Sequence, residues 1–376
     1  MGYNFPCKYP VGNGAENLAN LGAVPAEYRR AMPETKLKTI THMNVIRTVS
    51  RLLKKPLFVT PAAGLFVAML SCAAFAGDEG IAKPAPAAVL PGTTADPHIA
   101  VFGTTFCLYP TTDMVGWNPP SFHGWTSKDL KHWKDEGVIL DLPRDTKWAT
   151  GQAWAPAIAV KNGKYYFYFS ANQNIGVAVA DHPMGPFKDP LGKPLVAKGE
   201  YHCQSIDPMV FVDDDGSAYL FFGQGKCMAV KLHDDMISFD HQAVKAIEQE
   251  GYNEGPFVHK RKGIYYLSWS EFDTRDPRYS VVYATSTAPL GPYQKAAGNP
   301  ILQQKGEIKA AGHHSIVKIP GRDEWVIAYH RFHVPGGDGY HRETCISPLR
   351  FDAKGDIIPV NIFEPVPDDF ILKTKP

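Results

Sequence analysis

Three acidic residues stand in similar short motifs at wide intervals along the sequence. They are Asp96 in Ala-Asp-Pro, Asp207 in Ile-Asp-Pro and Glu254 in Glu-Gly-Pro. If folding brings such carboxyl groups together, their repulsion raises at least one pKa, so one keeps its proton while another is ionised. Hydrolysis of a glycosidic bond requires such a pair. The alternative is that these tripeptides are turn signals, which is their usual meaning.

The motifs belong to a repeat that occurs five times. Each copy has a short apolar strand, a polar turn and an aromatic-rich second strand, a pattern typical of a β-hairpin. The aligned prolines Pro97, Pro156, Pro208 and Pro256 lie between 48 and 59 residues apart, and His313-His314 begins the fifth copy. Further strands follow in each copy, and four strands make a propeller blade.

We therefore predict an all-β fold, a five-bladed β-propeller that fills residues 92–376 as a single catalytic domain. Two packed sandwiches are the alternative, but unrelated strands would not repeat one pattern five times. The first strand of each blade lines the central channel. The three acids should therefore converge near the axis, with Trp154 of the second copy and the histidine pair of the fifth.

Taken together, these motifs resemble glycoside hydrolase family 43 from about Thr94 to Val366. The resemblance implies an inverting mechanism in which Asp96 is the general base on water and Glu254 the general acid. Asp207 would set the pKa and orientation of that acid. Inversion leaves room for a water, so the carboxyl groups of Asp96 and Glu254 should lie roughly 6.5–9.5 Å apart.

The resemblance also implies residues that contact the sugar or a metal ion. Gly312-His313-His314-Ser315 matches the fifth-blade motif of the family, whose histidine contacts calcium in many members, so His313 is the candidate ligand of a structural calcium. Calcium prefers oxygen ligands, and a histidine that is simply hydrogen-bonded in the channel is the alternative. The expected substrate contacts are Trp154, Ile206, His314 and Arg331. The chemistry itself requires no cofactor.

By the same likeness, the substrate is a plant cell-wall oligo- or polysaccharide that loses terminal xylose, arabinofuranose or both. An endo-acting arabinanase and a carbohydrate-binding propeller without catalysis are the alternatives. The formal net charge is +1, which supplies no long-range field for a polyanion, so nucleic acid is not expected as a partner. Aromatic residues make up 12% of the chain, which suits strands and surfaces that stack on sugars.

Two segments outside the acid motifs leave alternatives open. Arg275-Asp276-Pro277 imitates a motif of fructan-cleaving propellers but follows Glu254, and we interpret it as a loop without that function. The segment 111–121, which contains Trp117, either walls the pocket or covers a blade edge.

The N-terminal part of the chain has the pattern of an export segment. A basic stretch after Met43 precedes an apolar run from Leu57 to Phe75, which ends in Ala-Phe-Ala, so residues 43–76 are predicted to be a signal peptide. Residues 1–42 would then be an upstream extension or an artefact, and residues 77–91 a linker. The protein should be secreted or periplasmic, with membrane attachment only if the signal stays uncleaved or is lipidated at Cys72.

Overall fold

Five antiparallel sheets contain nearly all the regular structure of the computed structural model, which describes residues 86–372 and, at Val115, the backbone alone. The predicted extension 1–42 and signal peptide 43–76, and most of the linker, lie outside the described residues. The sheets form a five-bladed β-propeller. The first strands of successive blades contact one another in a closed ring, which places them around a common axis.

Each blade is a meander of neighbouring strands, because polar turns separate short apolar runs. Blade 1 contains β1 (Thr94–Phe102), β2 (Thr105–Thr112), β3 (Ser121–Ser127) and β4 (Lys134–Asp141). Blade 2 contains β5 (Trp154–Lys161), β6 (Lys164–Ala171) and β7 (Asn174–Ala180). Blade 3 contains β8 (Met209–Val212), β9 (Ala218–Phe222), β10 (Cys227–Lys231) and β11 (Lys245–Ile247). Blade 4 contains β12 (Glu254–Arg261), β13 (Ile264–Glu271), β14 (Ser280–Ser286) and β15 (Gln294–Lys295). Blade 5 contains β16 (Gly312–Lys318), β17 (Trp325–Phe332), β18 (Arg342–Phe351) and β19 (Ile357–Ile358).

Blade 2 departs from the predicted four strands. After β7 the chain makes two isolated bridges, Ile175 with Val196 and Val179 with Lys188, in place of a fourth strand. The intervening segment 181–196 contains four prolines. Proline cannot donate a backbone hydrogen bond to a ladder, so this outer edge stays irregular.

Helical structure is slight in the part of the chain that the structure describes. A 3₁₀ turn spans Val115–Trp117, an α-helical turn spans Leu142–Asp145, and a second 3₁₀ turn spans His241–Ala243. Within residues 86–372, no helix is long and apolar enough to span a bilayer.

The apolar core lies in layers between neighbouring blades. Separate clusters fill the spaces between blades 1 and 2, between blades 2 and 3, through blades 3, 4 and 5, and between blades 5 and 1. Each sheet therefore buries both faces, and its first strand is left free to present side chains to the axis. All four cysteines of this region, Cys107, Cys203, Cys227 and Cys345, are free thiols.

Candidate active site

A cavity of about 240 Å³ opens on the axis where the first strands begin. Six residues singled out from the sequence line it: Asp96, Trp154, Ile206, Asp207, Glu254 and His313. Seven further residues complete the wall: Trp117, Gln204, Gln224, Asp273, Thr274, Arg275 and Arg342. The structure thus brings the three carboxyl groups to a single cavity.

A bulge near the start of each blade positions the acids. Asp96 and Asp207 occupy the bulge itself, with left-handed φ values of 48° and 57°. Glu254 stands one residue before the bulge of blade 4, where Gly255 has the left-handed φ of 61°. Relative to the aligned prolines, Glu254 therefore stands one residue earlier than Asp96 and Asp207, so the three acids have similar motifs but not one equivalent position. Because a bulge turns the chain locally, residues before and within it both face the cavity.

Asp96 is buried among positively polarised groups. Arg342 Nη1 lies 3.0 Å from Asp96 Oδ1, and His313 Nδ1 lies 3.3 Å from the same oxygen. Burial alone would raise the pKa of Asp96, but Arg342 and then His313 outweigh it and hold that pKa well below its usual range. Asp96 is therefore ionised at neutral pH, as a general base must be.

Arg342 is itself fixed by a second acid. Its guanidinium contacts Asp113, with distances of 2.6 Å to Oδ1 and 3.0 Å to Oδ2. All three side chains of this group are buried. A forked contact of this kind holds the guanidinium in one orientation against Asp96.

Glu254 receives a hydrogen bond on each carboxylate oxygen. The Tyr279 hydroxyl donates to Oε1 at 2.8 Å, and the Gln224 amide donates to Oε2. Burial is the largest influence and raises the pKa of Glu254 to about 7; the Tyr279 bond opposes it, and the negative charge of Asp96 adds to it. A carboxyl with this pKa still carries a proton in weakly acidic solution.

Asp207 is the third buried acid. Its Oδ2 accepts the backbone N–H of Gly255 at 3.0 Å and lies 4.0 Å from His313 Nδ1. Burial raises the pKa of Asp207 well above its usual value, and the charges of Glu254 and Asp96 raise it further. Because burial and neighbouring charges raise the pKa of both Asp207 and Glu254, protons remain on this side of the cavity.

Aromatic and basic side chains from three loops wall the cavity. Trp117 follows blade 1's second strand, and its ring centroid lies 4.4 Å from that of Tyr340 and 6.4 Å from that of Trp154. The Trp154 indole donates to the Trp117 carbonyl at 2.8 Å. The Arg275 guanidinium lies 5.9 Å from the Trp117 ring centroid. Of the two alternatives for the segment 111–121, the pocket wall is the one observed, and Trp117 is the residue of that segment that lines the cavity, together with Arg275.

Two expected substrate contacts lie elsewhere. Arg331 is buried outside the cavity wall, where its Nε donates to Glu343 Oε1 at 2.7 Å. His314 is also buried, and its Nε2 pairs with Ser268 Oγ at 2.6 Å. Successive side chains of a strand point to opposite faces, and in β17 it is His330, next to Arg331, that contacts Asp96.

The residues around His313 do not form a calcium site by themselves. In the described part of the chain, no cluster of three or more His, Cys, Asp or Glu side chains is arranged as a metal-ligand set. A small cavity of about 20 Å³ beneath the main one is lined by polar groups that include His313 and His314, and it has room for about one water. Its lining offers side-chain oxygens only from Asp96 and Asp207, whereas calcium prefers six to eight oxygen ligands. A metal role for His313 stays a prediction.

The cavity residues that the sequence did not reveal come from outside the first strands. Arg342 begins β18, and Asp273 and Thr274 lie in the loop after β13. The repeat pattern carried no signal for them, because their contribution depends on how far each loop reaches over the axis.

The sequence profile of the family described as "Glycosyl hydrolases family 43" matches residues 85–357. The β-D-galactofuranosidase xynD of Aspergillus niger is 35% identical over 289 residues, which cover 73% of this chain and 84% of that protein. Xylosidase/arabinosidase 43A of Humicola insolens is 31% identical and covers 70% and 96% of the two chains.

Solved structures show the same likeness. An α-L-arabinofuranosidase from Clostridium thermocellum superposes with a TM-score of 0.61 at 34% identity, covering 71% of this chain and 93% of that one. A β-xylosidase/α-arabinofuranosidase from a compost metagenome, solved with xylotriose in a calcium-free form, gives a TM-score of 0.61 at 29% identity and covers 73% and 97%.

Proposed function

The chain belongs to glycosyl hydrolase family 43, and from that premise we propose that it is an inverting glycosidase that releases terminal xylose, arabinofuranose or both from plant cell-wall oligo- or polysaccharides. The observation that carries this proposal is the pair of opposite protonation states in one cavity. Asp96 is held ionised by Arg342, whereas Glu254 keeps a proton up to about pH 7. That is the pairing glycoside hydrolysis requires.

In this mechanism Asp96 accepts a proton from a water as the water oxygen attacks the anomeric carbon. The bond between that carbon and the glycosidic oxygen breaks, and the leaving oxygen takes the proton of Glu254. Asp207 orients the acid through the hydrogen bond that it accepts from the N–H of Gly255, the residue that follows Glu254. No covalent sugar–enzyme intermediate forms, because no carboxylate attacks the anomeric carbon.

The shape of the cavity favours removal of single terminal sugars. Its volume of about 240 Å³ is below the roughly 300–1,000 Å³ of pockets that hold drug-sized ligands. Trp117, Trp154 and Arg275 wall it on several sides. An endo-acting arabinanase would need a groove open at both ends. A binding propeller without catalysis would not need all three acids in the cavity.

The sugar is proposed from the names of the relatives, several of which are xylosidases or arabinosidases. The galactofuranosidase adds a related candidate. α-L-Arabinofuranose and β-D-galactofuranose have the same ring configuration and differ by one hydroxymethyl group, so a pocket that accepts one ring presents the same contacts to the other.

A panel of aryl glycosides tests the activity and the sugar together. We expect cleavage of aryl β-D-xylopyranoside or α-L-arabinofuranoside, with aryl β-D-galactofuranoside as the third member, and NMR should show the inverted anomer as first product. Release of oligosaccharides from linear arabinan in place of monosaccharides would support the endo alternative. A product with retained configuration would refute the mechanism.

Two variants separate the roles of the acids. Glu254→Gln should reduce kcat by roughly 10²–10⁴-fold on substrates with poor leaving groups and much less on a dinitrophenyl glycoside, whose leaving group needs no proton. Asp96→Asn should reduce kcat on both, because activation of water is lost. Equal losses for the two variants on both substrates would contradict these roles.

We also propose that the mature enzyme acts outside the cytoplasm, since residues 43–76 have the pattern of a signal peptide. Cell fractionation with mass determination of the mature N-terminus tests this. A protein that retains residues 43–76 in the cytoplasm would contradict it.

A further inference from the structure

The five blades share one backbone feature at the bulge of the first strand. The residue in the bulge is left-handed in every blade: Asp96, Ala155, Asp207, Gly255 and His313, with φ between 40° and 61°. L-residues other than glycine rarely adopt this conformation, and holding one in it costs free energy. Something in the surrounding structure must therefore fix these backbones.

In four of the five blades, a side chain of the preceding blade supplies that restraint. The backbone N–H of the bulge residue donates to an acceptor on the preceding blade's second strand. Ala155 N–H donates to Thr111 Oγ1 at 2.8 Å, Asp207 to Ser170 Oγ at 2.9 Å, His313 to Ser270 Oγ at 2.9 Å, and Asp96 to His330 Nδ1 at 3.2 Å. We call each such contact a bulge latch.

The four acceptors occupy one structural position. Thr111 pairs with Ala95, Ser170 with Trp154, Ser270 with Glu254 and His330 with Gly312. In each case the partner is the residue directly before the bulge of the acceptor's own blade. The latch is thus a repeated feature of the fold, present at four of the five junctions and including the one that closes the ring between blades 5 and 1.

Blade 3 breaks the pattern. Its corresponding residue is Gly223, whose N–H bonds to the Ile206 carbonyl at 2.9 Å. A Cβ at Gly223 would lie 2.3 Å from the Lys226 carbonyl oxygen, so no side chain fits. The Gly255 N–H, left without a latch from blade 3, donates to Asp207 Oδ2.

We propose that Ser170 is a positioning residue for catalysis, because its hydroxyl fixes the backbone of Asp207 and the Asp207 carboxylate in turn fixes the backbone beside Glu254. Ser170 is fully buried and does not line the cavity. Its influence passes from blade 2 through blade 3 to the acid on blade 4. This inference rests on the proposed catalytic roles of Asp207 and Glu254.

The test uses Ser170→Ala with a matched control in blade 1. Ser170→Ala should lower kcat roughly 10- to 100-fold, since a displacement of about 1 Å at a reacting group costs that much, with KM changed less than about threefold. Ser170→Thr should restore most of kcat, because threonine is the latch residue of blade 1. Thr111→Val removes the hydrogen bond that Thr111 Oγ1 accepts from the Ala155 N–H, and Ala155 has no proton to transfer. This variant should lower Tm about as much as Ser170→Ala does, with a much smaller effect on kcat.

Three outcomes would overturn the inference: wild-type kcat in Ser170→Ala, equal loss of kcat in Ser170→Ala and Thr111→Val, or no rescue by threonine. If Ser170→Ala does not fold, Ser170→Cys retains a weak acceptor of similar size and should give an intermediate kcat; an unchanged kcat would refute the inference.

Asp207→Asn distinguishes failure of the catalytic role of Asp207 from failure of the positioning role of Ser170. Wild-type activity in that variant refutes the catalytic role of Asp207, whereas an inactive Asp207→Asn beside a fully active Ser170→Ala refutes the positioning role alone.

Discussion

At the scale of single residues, two effects shift the pKa of Glu254 in opposite directions. Burial raises its pKa to about 7, while the hydrogen bond from Tyr279 Oη stabilises the ionised form and lowers it. Asp96 titrates far below this range. The profile of kcat/KM against pH should therefore be a broad bell, with an acidic limb below the usual aspartate range and an alkaline limb near pH 7.

Tyr279→Phe should move the alkaline limb of this profile to higher pH. Loss of the hydroxyl removes a donor to the carboxylate, so the pKa of Glu254 rises and the acid keeps its proton longer as pH increases. The measurement is kcat/KM from pH 4 to 10 on an aryl glycoside. Tyr283→Phe is the control, because its hydroxyl contacts Asp356 and the Ile357 N–H and not Glu254. A limb that stays in place or moves to lower pH would contradict the assignment of Glu254 as the acid.

The sequence revealed the cavity residues that lie on the repeat itself. Asp96, Trp154 and Asp207 could be found because five copies of one pattern point to one axis. Arg342 could not, because it stands 246 residues from the acid that it contacts and starts a third strand with no shared motif. Its pairing depends on how blades 5 and 1 meet, which is a property of the closed ring.

At the scale of strands, side chains alternate between the two faces of the sheet along β17, so the neighbouring residues His330 and Arg331 make different contacts. His330 contacts Asp96 and stacks on Tyr279 at a ring-centroid distance of 5.5 Å. Arg331 pairs with Glu343, its register partner on β18. The resemblance implied a sugar contact for Arg331, but the arginines that line the cavity are Arg275 and Arg342.

We therefore expect Arg331→Met to reduce stability and leave catalysis nearly unchanged. Removal of one partner of a buried ion pair leaves Glu343 without its cation and costs about 3–5 kcal/mol. Urea unfolding measures the loss, and kcat/KM below the unfolding transition should stay within about twofold of wild type. The double variant Arg331→Met with Glu343→Leu should recover much of the stability, because no buried charge remains. A raised KM at unchanged stability would instead place Arg331 in the sugar site.

At the scale of the whole molecule, blades 5 and 1 close the ring without a shared strand, and side-chain contacts join them near the axis. Every strand of blade 1 comes from 94–141, and every strand of blade 5 comes from 312–358. Ser315 Oγ accepts the Ile99 N–H at 2.8 Å and donates to the Pro97 carbonyl at 2.7 Å. The contact between Arg342 and Asp96 crosses the same junction, so ring closure and catalysis depend on one interface.

The C-terminal segment completes this junction, and Phe370 tests its contribution. Phe370 is 5% exposed and belongs to the apolar cluster that contains Ile99 of blade 1 and Val326 of blade 5. Phe370→Ala should cost about 3–5 kcal/mol, as large-to-small substitutions in a core do. The neighbouring Ile371 is 47% exposed, so Ile371→Ala should change stability by less than about 0.5 kcal/mol.

Urea unfolding, monitored by both fluorescence and enzymatic activity, shows whether Phe370 holds the junction between blades 5 and 1 closed or only adds to the packing of the core. If the junction holds Asp96 against Arg342, Phe370→Ala should lose activity at a lower urea concentration than it loses fluorescence of the folded state, because the ring opens there first. In Ile371→Ala the two transitions should coincide, as in the wild type. Coincident transitions in Phe370→Ala would mean that the five blades unfold as one unit, and equal stability of the two variants would mean that the segment adds nothing to closure.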